Sequence, residues 1–345
     1  MHWCSMRRAF LFISSIIIIG LVICVGDVLW AEAPTSMFVP HTERTDALTI
    51  GWVGDMVPSE DALYNARVFD SVAPALQKPD LMIGNLEGTF ALPDRVTKCI
   101  YITTMCHAFA GDPSFAESLK SAGFDFVSLV NNHSYDFGKE GLLDTQAVLD
   151  AAGIPYISPT QPATSITIRN KKIGILGLSS TEPASTITDY DFITKNVAKL
   201  KQENDFAIVI FHGGAEGSDK TQVPGTTEYM GSENRGNVEL VAHTAIDAGA
   251  DLVLGAGPHV LRKIEVYKTK PIAYSLGNFV GGTHLVTSGI LGTSAIVTAA
   301  LSVNSPTTFD ITSVILSGDG VPTVDYFERA RGLIDELSRG LPASQ

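Results

Sequence analysis

Five apolar runs of the sequence each end in a polar side chain that could bind a metal ion or transfer a proton. The side chains at these ends are Asp55, Asn85 with Glu87, Asn132 with His133, His212, and His259. Turns after strands favour aspartate and asparagine, so any one of these ends could be a turn and nothing more. Histidine is not a preferred turn residue, and three of the five ends carry one. Taken together, the five ends indicate a site of chemistry.

The types of these side chains predict a metal centre. Carboxylates, amides and imidazoles form a mixed oxygen and nitrogen ligand set, which suits Mn²⁺, Fe or Zn²⁺ better than Ca²⁺. Two carboxylates with several neutral ligands could hold two ions about 3.5–4 Å apart and activate a water molecule. We therefore expect one or two divalent ions as the cofactor.

The five runs are typical of buried strands in an α/β sheet. They are Leu48–Val53, Asp80–Ile83, Phe126–Val130, Asp205–Phe211 and Asp251–Leu254. In an open α/β sheet, ligands bind beyond the carboxyl ends of the strands. The polar side chains named above lie at those ends, because each comes shortly after a predicted strand. An amide and an imidazole side by side, as at Asn132 and His133, are also costly to bury without partners.

Helices and further strands are predicted between and after these runs. The predicted helices are Asp61–Gln77, one opened by Asp112 and Pro113, one after Gly138 with Leu142, Leu143, Val148 and Leu149 on one face, Ile193–Gln202, Val238–Ala248, and Ala330–Leu337. The predicted strands are a hairpin of Thr164–Ile168 with Lys172–Leu178, then Lys263–Tyr267, Pro271–Ser275, Ala295–Val303, Phe309–Leu316 and Thr323–Phe327. The segment Thr221–Arg235 is rich in glycine and polar residues, which predicts a mobile lid.

A local repeat links two of the histidines. The sequence Gly123-Phe124-Asp125 begins ten residues before His133, and Gly249-Ala250-Asp251 begins ten residues before His259. Each unit has a glycine suited to a helix end, then a strand, then the histidine. The repeat predicts that both histidines lie at equivalent heights on one sheet edge.

The charge of the chain argues against nucleic acid as a partner. The 345 residues carry a formal net charge of -13. The densest basic spots are pairs such as Lys171-Lys172 and Arg262-Lys263. An acidic protein without a basic patch repels the phosphate backbone.

The first 33 residues predict export. Arg7 and Arg8 precede an uncharged run from residue 9 to residue 26, and Ala31-Glu32-Ala33 matches the small-residue pattern of signal peptidase sites. A run of this length also begins to span a bilayer, so a cleaved signal and an uncleaved anchor are both open. Either one places the folded body on the periplasmic or extracellular face of the cytoplasmic membrane or beyond it.

Two cysteines remain in the exported body. Cys99 and Cys106 are separated by six residues. An oxidising compartment favours a loop disulfide between them. The other interpretation is a thiol or metal site that includes the adjacent His107.

The order and types of the polar ends resemble the calcineurin-like metallophosphoesterase superfamily, and more closely its branch of poly-gamma-glutamate capsule biosynthesis proteins of the CapA type. The matching stretches are Gly54-Asp55-Met56, Gly84-Asn85-Leu86-Glu87, Asn131-Asn132-His133 with Asp136 and Gly138, His212-Gly213-Gly214, Gly249 to Val253 through Gly257-Pro258-His259-Val260, and Ile272 to Phe279. Six blocks in the family's order span residues 48 to 280.

This resemblance implies a role for each matched residue. The implied metal ligands are Asp55, Glu87 or Asn85, Asn132, His212 and His259, with Glu87 as the bridging carboxylate. His133 would protonate the leaving group or stabilise the charge of the transition state. Asp136, in the same motif, is assigned to the catalytic group with it.

The chain departs from the superfamily at two positions. The superfamily's first motif is Asp-x-His, but Val57 occupies the histidine position here. Its last motif is Gly-His-x-His, and Ala256 and Gly257 stand where relatives of the CapA type often carry histidines. Both departures remove nitrogen ligands, so we expect one of two metal sites to be weak or empty.

The remaining candidates are weaker. Tyr274, Ser275 and Asn278 follow a strand and are assigned to the substrate pocket, with turn formation beside Gly277 as the alternative for Asn278. His243 lies within a predicted helix and is interpreted as a packed or surface residue. The last of the set, His284, lies in a loop that faces either the cleft or solvent.

These observations predict an α/β domain over residues 47–328, built as two mixed β-sheets packed face to face with flanking helices, the metallophosphatase-like four-layer sandwich. The late strands are assigned to the second sheet. Residues 1–33 form the signal or anchor, 34–46 a tether, and 329–345 a C-terminal helix and tail.

Two functions of different classes follow. The first is a metal-dependent hydrolase acting on a phosphoester or on an anionic cell-envelope polymer. The second is a non-catalytic subunit that handles poly-gamma-glutamate beside membrane synthase or export subunits.

Overall fold

A computed structural model describes residues 47–339, except 93, 102–105, 182–185, 283 and 303–307. The predicted signal or anchor, residues 1–33, and the tether, residues 34–46, lie outside the described residues. Within the described part, no helix has the length and apolar character needed to cross a membrane.

The described part of the chain alternates strands and helices before it becomes strand-rich. The strands are β1 (Leu48–Met56), β2 (Leu81–Leu86), β3 (Phe126–Ser128), β4 (Tyr156–Ile157), β5 (Ala163–Ile168), β6 (Lys171–Ser179), β7 (Phe206–His212), β8 (Glu228–Met230), β9 (Glu233–Gly236), β10 (Leu252–Ala256), β11 (Ile264–Tyr267), β12 (Lys270–Ala273), β13 (Asn278–Val280), β14 (Thr293–Leu301), β15 (Thr308–Leu316) and β16 (Pro322–Val324). The α-helices are α1 (Ala62–Asn65), α2 (Ala73–Leu76), α3 (Ser114–Ala122), α4 (Gly138–Ala152), α5 (Tyr190–Glu203), α6 (Val238–Asp247) and α7 (Arg329–Ser338).

The first sheet is mixed, with the order β16-β15-β14-β1-β2-β3-β4. The strands from β1 to β4 run parallel, so their carboxyl ends share one edge. At that edge Asp55 lies opposite Asn85 on one side and Asn278 on the other. The sheet therefore brings three polar residues together from distant parts of the chain.

The second sheet is also mixed, with the order β11-β12-β10-β7-β6-β5. Its four central strands β12, β10, β7 and β6 run parallel, and antiparallel strands β11 and β5 form its edges. His212 ends β7 opposite Ala256 of β10. The carboxyl ends of this sheet thus supply the second half of the site.

Side chains alternate between the two faces of each strand, so each sheet has two buried faces. The domain is therefore a sandwich of four layers, with two sheets inside and helices on both outer faces. Trp52 and Ile83 of the first sheet pack with Leu254 and others of the second in one shared core. The opposite face of the first sheet packs against α1 to α4, and the opposite face of the second sheet packs against α5 and α6. The predicted architecture of two mixed sheets with flanking helices is confirmed.

The C-terminal helix α7 closes one end of the shared core. Ala330 and Ile334 are fully buried in that core. At the end of the helix, the Ser338 hydroxyl accepts a hydrogen bond from the backbone of Ile264. The helix is therefore part of the packed domain.

The prediction that the late strands belong to the second sheet is wrong for β14, β15 and β16. Strand β14 pairs antiparallel with β1, from Leu48 opposite Leu301 to Trp52 opposite Val297. This pairing extends the first sheet, and β15 and β16 follow as a meander. Only β11 and β12 join the second sheet, since β13 pairs with β1.

The local helix predictions differ from the structure at two places. The predicted helix Asp61–Gln77 is two short helices, α1 and α2, because the chain between them forms turns with bonds to the third residue before, such as Val68 to Asn65. Leu143 does not lie on the buried face of α4 and is 52% exposed. The structure buries Thr145 there instead, through its hydroxyl bond to the backbone of Phe90.

The predicted mobile lid, Thr221–Arg235, contains an ordered ribbon formed by β8 and β9. Arg262 reaches it from the second sheet and pairs with buried Glu228, with Nη2 2.7 Å from Oε1. This buried ion pair ties the start of the ribbon to the body of the protein, and the mobility of the segment stays a prediction.

The disulfide interpretation of the two cysteines is confirmed. Cys99 and Cys106 are bonded to each other. The alternative of a thiol or metal site with His107 is therefore wrong.

Gly54 marks the closest approach between β1 and the turn before β13. A Cβ atom at this position would lie 1.8 Å from the carbonyl oxygen of Gly277. The backbone of Asp55 donates to that same oxygen at 2.9 Å. Glycine at position 54 is what allows Asp55 to reach its place.

We expect Gly54→Ala to destabilise the protein by about 1–3 kcal/mol or more, because the methyl group forces two backbone segments apart. Urea unfolding measures the change. The control is Gly332→Ala in α7, where the added methyl meets no atom within 4 Å. It should stabilise by about 0.5–1 kcal/mol, because alanine favours a helix interior. A Gly54→Ala protein as stable as wild type would contradict the close approach.

Candidate metal centre

The carboxylate of Asp55 lies at the point where the two sheets meet. It is fully buried at the end of β1. Its Oδ1 accepts from Nδ2 of Asn85 at 2.9 Å, and its Oδ2 accepts from the backbone of Gly257 at 3.2 Å. The first bond comes from the first sheet and the second from the loop after β10. Asp55 therefore joins the two halves of the site.

Glu87 is the centre of the group. Its side chain is fully buried, and neither carboxylate oxygen has a hydrogen-bond partner among the residues that the structure describes. Three imidazoles face its Oε1: Nε2 of His212 lies 3.2 Å away, and Nε2 of His133 and of His259 each lie 3.9 Å away. A buried carboxylate without hydrogen bonds is costly, so this arrangement is suited to a bound cation.

His212 is a neutral nitrogen donor. Neither ring nitrogen has a hydrogen-bond partner in the described part of the chain. Burial lowers the pKa of His212 to about 3, although the nearby charge of Asp55 acts in the opposite direction. The ring is therefore unprotonated near neutral pH, which is the form that binds metal. One ligand atom each from Asp55, Glu87 and His212 lie within 4.8 Å of one another.

His259 sits in a backbone conformation that non-glycine residues rarely adopt, with φ at 60°. Its Nδ1 lies 2.9 Å from Oδ1 of Asn278 and 3.3 Å from Oδ2 of Asp55. Burial alone lowers the pKa of His259, but the charges of Glu87 and Asp55 outweigh it and raise that pKa to about 10. Without an ion, His259 thus carries a proton that balances the carboxylates.

Asn132 contributes an amide oxygen. Its Oδ1 is buried and has no hydrogen-bond partner among the described residues. The neighbouring Asn131 holds the turn, because its Nδ2 donates to Asn85 and to the carbonyl oxygen of Leu86. Its Oδ1 accepts from the backbone of His133. One asparagine of the pair is thus structural, and the other keeps a free ligand atom.

His133 and Asp136 form a hydrogen-bonded pair beside Glu87. Nδ1 of His133 lies 2.7 Å from Oδ2 of Asp136. A carboxylate only accepts hydrogen bonds, so Nδ1 carries the proton and Nε2 is left facing Glu87. Phe109 stacks on the imidazole with ring centroids 4.3 Å apart. The two predicted catalytic residues therefore lie together, next to the candidate metal ligands.

Three predicted site residues have other roles than the ones assigned to them. Asn85 uses both amide atoms to hold its neighbours, donating to Asp55 and accepting from Asn131, so it positions ligands and offers no free atom. Ser275 is buried and accepts from the backbone of Gly277, which shapes the turn before β13. Asn278 supports His259 and does not line an open pocket.

Tyr274 does not join the group. Its side chain packs on the outer face of the second sheet, in the core beneath α5 and α6. Its hydroxyl donates to Oε2 of Glu265 at 2.8 Å. The assignment of Tyr274 to the substrate pocket is therefore wrong, because its position in the strand points it away from the site.

The two remaining histidines differ. His243 stacks on Tyr267 with ring centroids 3.9 Å apart and contacts Glu265 at 2.9 Å, so it is a packed residue of α6. His284 is half-buried and lies against Phe109, with ring centroids 5.3 Å apart. His284 therefore borders the site, on the far side of the ring that covers His133.

The repeat around His133 and His259 does not place them on one sheet edge. His133 follows β3 of the first sheet, and His259 follows β10 of the second. They meet because the two sheets pack together, so that each lies 3.9 Å from Glu87. The prediction of a common sheet is wrong, while both histidines do reach the same carboxylate.

Glu216 is a site residue that the sequence patterns missed. Its Oε2 lies 3.7 Å from Nε2 of His259, and its Oε1 pairs with the fully buried guanidinium of Arg235 at 3.0 Å. The available signal was a carboxylate four positions after His212, in the loop at the end of β7. Arg235 in β9 thus holds Glu216 toward the ligands.

The residues fit a divalent cation. The buried atoms without hydrogen-bond partners include both oxygens of Glu87, both ring nitrogens of His212 and Oδ1 of Asn132. Oxygen and nitrogen donors of these types suit Mn²⁺, Fe or Zn²⁺. Val57 and Ala256 are buried apolar side chains at this edge, so nitrogen ligands are missing from the two positions noted in the sequence.

We expect ion binding to release a proton from His259. Its pKa of about 10 leaves it protonated near neutral pH, whereas His212, at about 3, has no proton to lose. Affinity for Zn²⁺ should therefore fall about tenfold for each pH unit lowered below the pKa of His259. Calorimetric titration in two buffers of different ionisation enthalpy measures the proton count. The control Lys195→Gln, at an exposed position of α5, should release the same number of protons as wild type. Equal heats in both buffers for wild type would contradict this linkage.

Most of the chain matches a known family. The family described as bacterial capsule synthesis protein PGA_cap matches residues 21–283. The chain is 26% identical over 282 residues to the capsule biosynthesis protein CapA of Bacillus anthracis, covering 73% of this chain and 64% of that protein. It is 26% identical over 278 residues to the PGA biosynthesis protein CapA of Bacillus subtilis (strain 168), covering 73% and 68%. The chain thus spans less than two thirds of the first of these relatives.

A solved structure shares the fold. A phosphatase from Mycoplasma pneumoniae superposes with a TM-score of 0.52 at 17% identity, covering 78% of this chain and 94% of that one. This likeness agrees with the metallophosphatase-like sandwich predicted from the sequence. The family match contains every candidate metal ligand described above. The protein belongs to the bacterial capsule synthesis protein family PGA_cap.

Proposed function

We propose that the protein is a metal-dependent hydrolase that acts on a phosphoester or on an anionic cell-envelope polymer such as poly-gamma-glutamate. The observation that carries this proposal is the unpartnered carboxylate of Glu87, which three imidazoles face. One of those imidazoles, His133, is also hydrogen-bonded to a buried carboxylate. The candidate metal ligands and the candidate proton donor therefore lie next to one another, around Glu87.

Five residues would hold the ion or ions. They are Asp55, Glu87, Asn132, His212 and His259. A divalent ion bound there supplies Lewis acidity and charge neutralisation for attack by water. Asn85 and Asn278 keep two of these ligands, Asp55 and His259, in place.

His133 is the group that handles a proton. Nδ1–H of His133 donates a hydrogen bond to Asp136, so Nε2 is the atom that exchanges a proton with the leaving group. Phe109 covers one face of the ring and limits access of water to it. This pair requires no rearrangement to present Nε2 beside Glu87.

The polymer assignment rests on the family and on charge. The family's printed description names capsule synthesis, and the Bacillus subtilis relative is named for PGA biosynthesis. An acidic protein of net charge -13 needs bound cations to attract an anionic polymer to this site. We propose such a polymer as the substrate and membrane synthase or export subunits as partners, with no role for nucleic acid.

Two buried positions favour a second candidate function. Val57 and Ala256 offer no nitrogen to an ion. A site with fewer ligands would bind one ion, enough to hold a polyanion without cleaving it. The second candidate is therefore a non-catalytic subunit that handles poly-gamma-glutamate during synthesis and export.

We also propose that the folded body lies outside the cytoplasm. Arg7 and Arg8 before an uncharged run support an export signal or anchor. The bond between Cys99 and Cys106 supports the same location, because disulfides persist in oxidising compartments.

We expect His133→Ala to lower turnover of an aryl phosphate or of poly-gamma-glutamate by about 10²–10⁴-fold, with the metal content unchanged, because the residue donates a proton and holds no ion. Elemental analysis and initial rates of the full-length protein measure both quantities, with Lys195→Ala at an exposed position of α5 as the control. Stoichiometric metal with polymer binding but no turnover in wild type would favour the second candidate.

Glu87→Gln should reduce the bound metal well below that of wild type, because it removes the charge at the centre of the ligand group. Elemental analysis after dialysis tests this, with Glu203→Gln at the exposed end of α5 as the control. Full metal content in Glu87→Gln would remove Glu87 from the ligand set.

A further inference from the structure

Asp136 receives more donors than its partnership with His133 requires. It is fully buried. Besides His133, its Oδ2 accepts from the backbone of Phe109 at 2.7 Å, and its Oδ1 pairs with Nζ of Lys98 at 2.5 Å. Its own carbonyl oxygen accepts from the backbone of Lys98 at 2.7 Å. This carboxylate is therefore held from several directions.

These extra donors come from the two ends of one short segment. Lys98 directly precedes Cys99, and Phe109 follows Cys106 by three residues. The disulfide joins Cys99 to Cys106 and so fixes the two ends of the segment to each other. The same segment supplies the ring of Phe109 that stacks on His133. The disulfide thus joins the two parts of the chain that supply the contacts of Lys98 and Phe109 with Asp136 and His133.

We propose that Lys98, held by the disulfide between Cys99 and Cys106, is a positioning residue for His133. Lys98 balances the buried charge of Asp136 and fixes its carboxylate plane. Asp136 in turn fixes the His133 ring with the proton on Nδ1 and with Nε2 toward Glu87. The catalytic consequence of this proposal rests on the proposed hydrolase function, whereas the ring geometry does not.

The charges around His133 explain why the lysine is needed. Nε2 of His133 lies 3.9 Å from Oε1 of Glu87, and Nδ1 lies 2.7 Å from Oδ2 of Asp136. The ring therefore stands between two buried carboxylates and could bond to either one. An ammonium group on Asp136 fixes that carboxylate to accept from Nδ1. Asp136 is fully buried while Lys98 reaches it from the surface, so removing the ammonium group leaves a buried carboxylate without its charge partner.

The test is a histidine side-chain ¹⁵N–¹H correlation spectrum of the full-length, metal-free protein. Wild type should show a downfield Nδ1–H signal for His133, assigned by its absence in His133→Gln. Lys98→Met should shift this signal or broaden it beyond detection, whereas Lys98→Arg should retain it, because arginine keeps the charge. Lys195→Met, an exposed lysine on α5, is the matched control and should leave the signal unchanged.

The disulfide is tested by the double variant Cys99→Ser with Cys106→Ser. It should move the His133 signal in the same direction as Lys98→Met. If the double variant does not fold, reduced wild-type protein provides the same measurement. If Lys98→Met does not fold, Lys98→Gln replaces it. A His133 signal that stays at its wild-type position in the lysine variant overturns the proposal. A signal that responds to Lys98 but not to the disulfide overturns the role of the bridge.

Turnover distinguishes positioning from substrate binding. With Mn²⁺ and para-nitrophenyl phosphate, Lys98→Met should lower kcat by about ten- to a hundredfold with KM nearly unchanged. A rise in KM alone would make Lys98 a substrate contact and would overturn the proposal. If wild type shows no turnover, the hydrolase proposal fails, while the spectra still decide whether Lys98 orients His133.

Discussion

A buried carboxylate without hydrogen bonds is the constraint on which the site depends. Glu87 is fully buried, and both of its oxygens lack hydrogen-bond partners in the described part of the chain. A charge in such a place costs several kcal/mol unless neighbours compensate it. The compensating charge comes from protonated His259, whose Nε2 lies 3.9 Å from Oε1, because the nearer ring of His212 is neutral. The loops after β3, β7 and β10 therefore converge on this one side chain.

A second set of residues shapes the site without offering a free atom to an ion. Three amides, those of Asn85, Asn131 and Asn278, bond to ligands or to each other. The salt bridge from Arg235 holds Glu216 near His259 in a similar way. Such supporting bonds fix the orientation of ligands, and their loss weakens metal sites even when every ligand remains. The geometry of the site is therefore a property of both sheets.

The strand ends and most of the site could be predicted from the sequence, because the carboxyl ends of parallel strands share an edge. What local pattern could not supply was the packing between distant segments. Tyr274 and Asn278 lie close in sequence, yet the side chain of Tyr274 packs on the outer face of the second sheet, away from the site. Turns between α1 and α2 interrupt a stretch whose apolar spacing is continuous in the sequence. Glu216 entered the site only because an arginine from another strand pairs with it.

The bond from the backbone of Gly257 to Asp55 joins residues 202 positions apart. A chain synthesised from its N-terminus exposes Asp55 and Glu87 long before His212 and His259 exist. Contacts of such large sequence separation form late in folding, because loop closure must precede them. The full ligand set is assembled only when the second sheet has docked on the first. An ion held by the proposed ligands would therefore be acquired from the surroundings in which folding is completed, whatever ions the growing polypeptide met earlier.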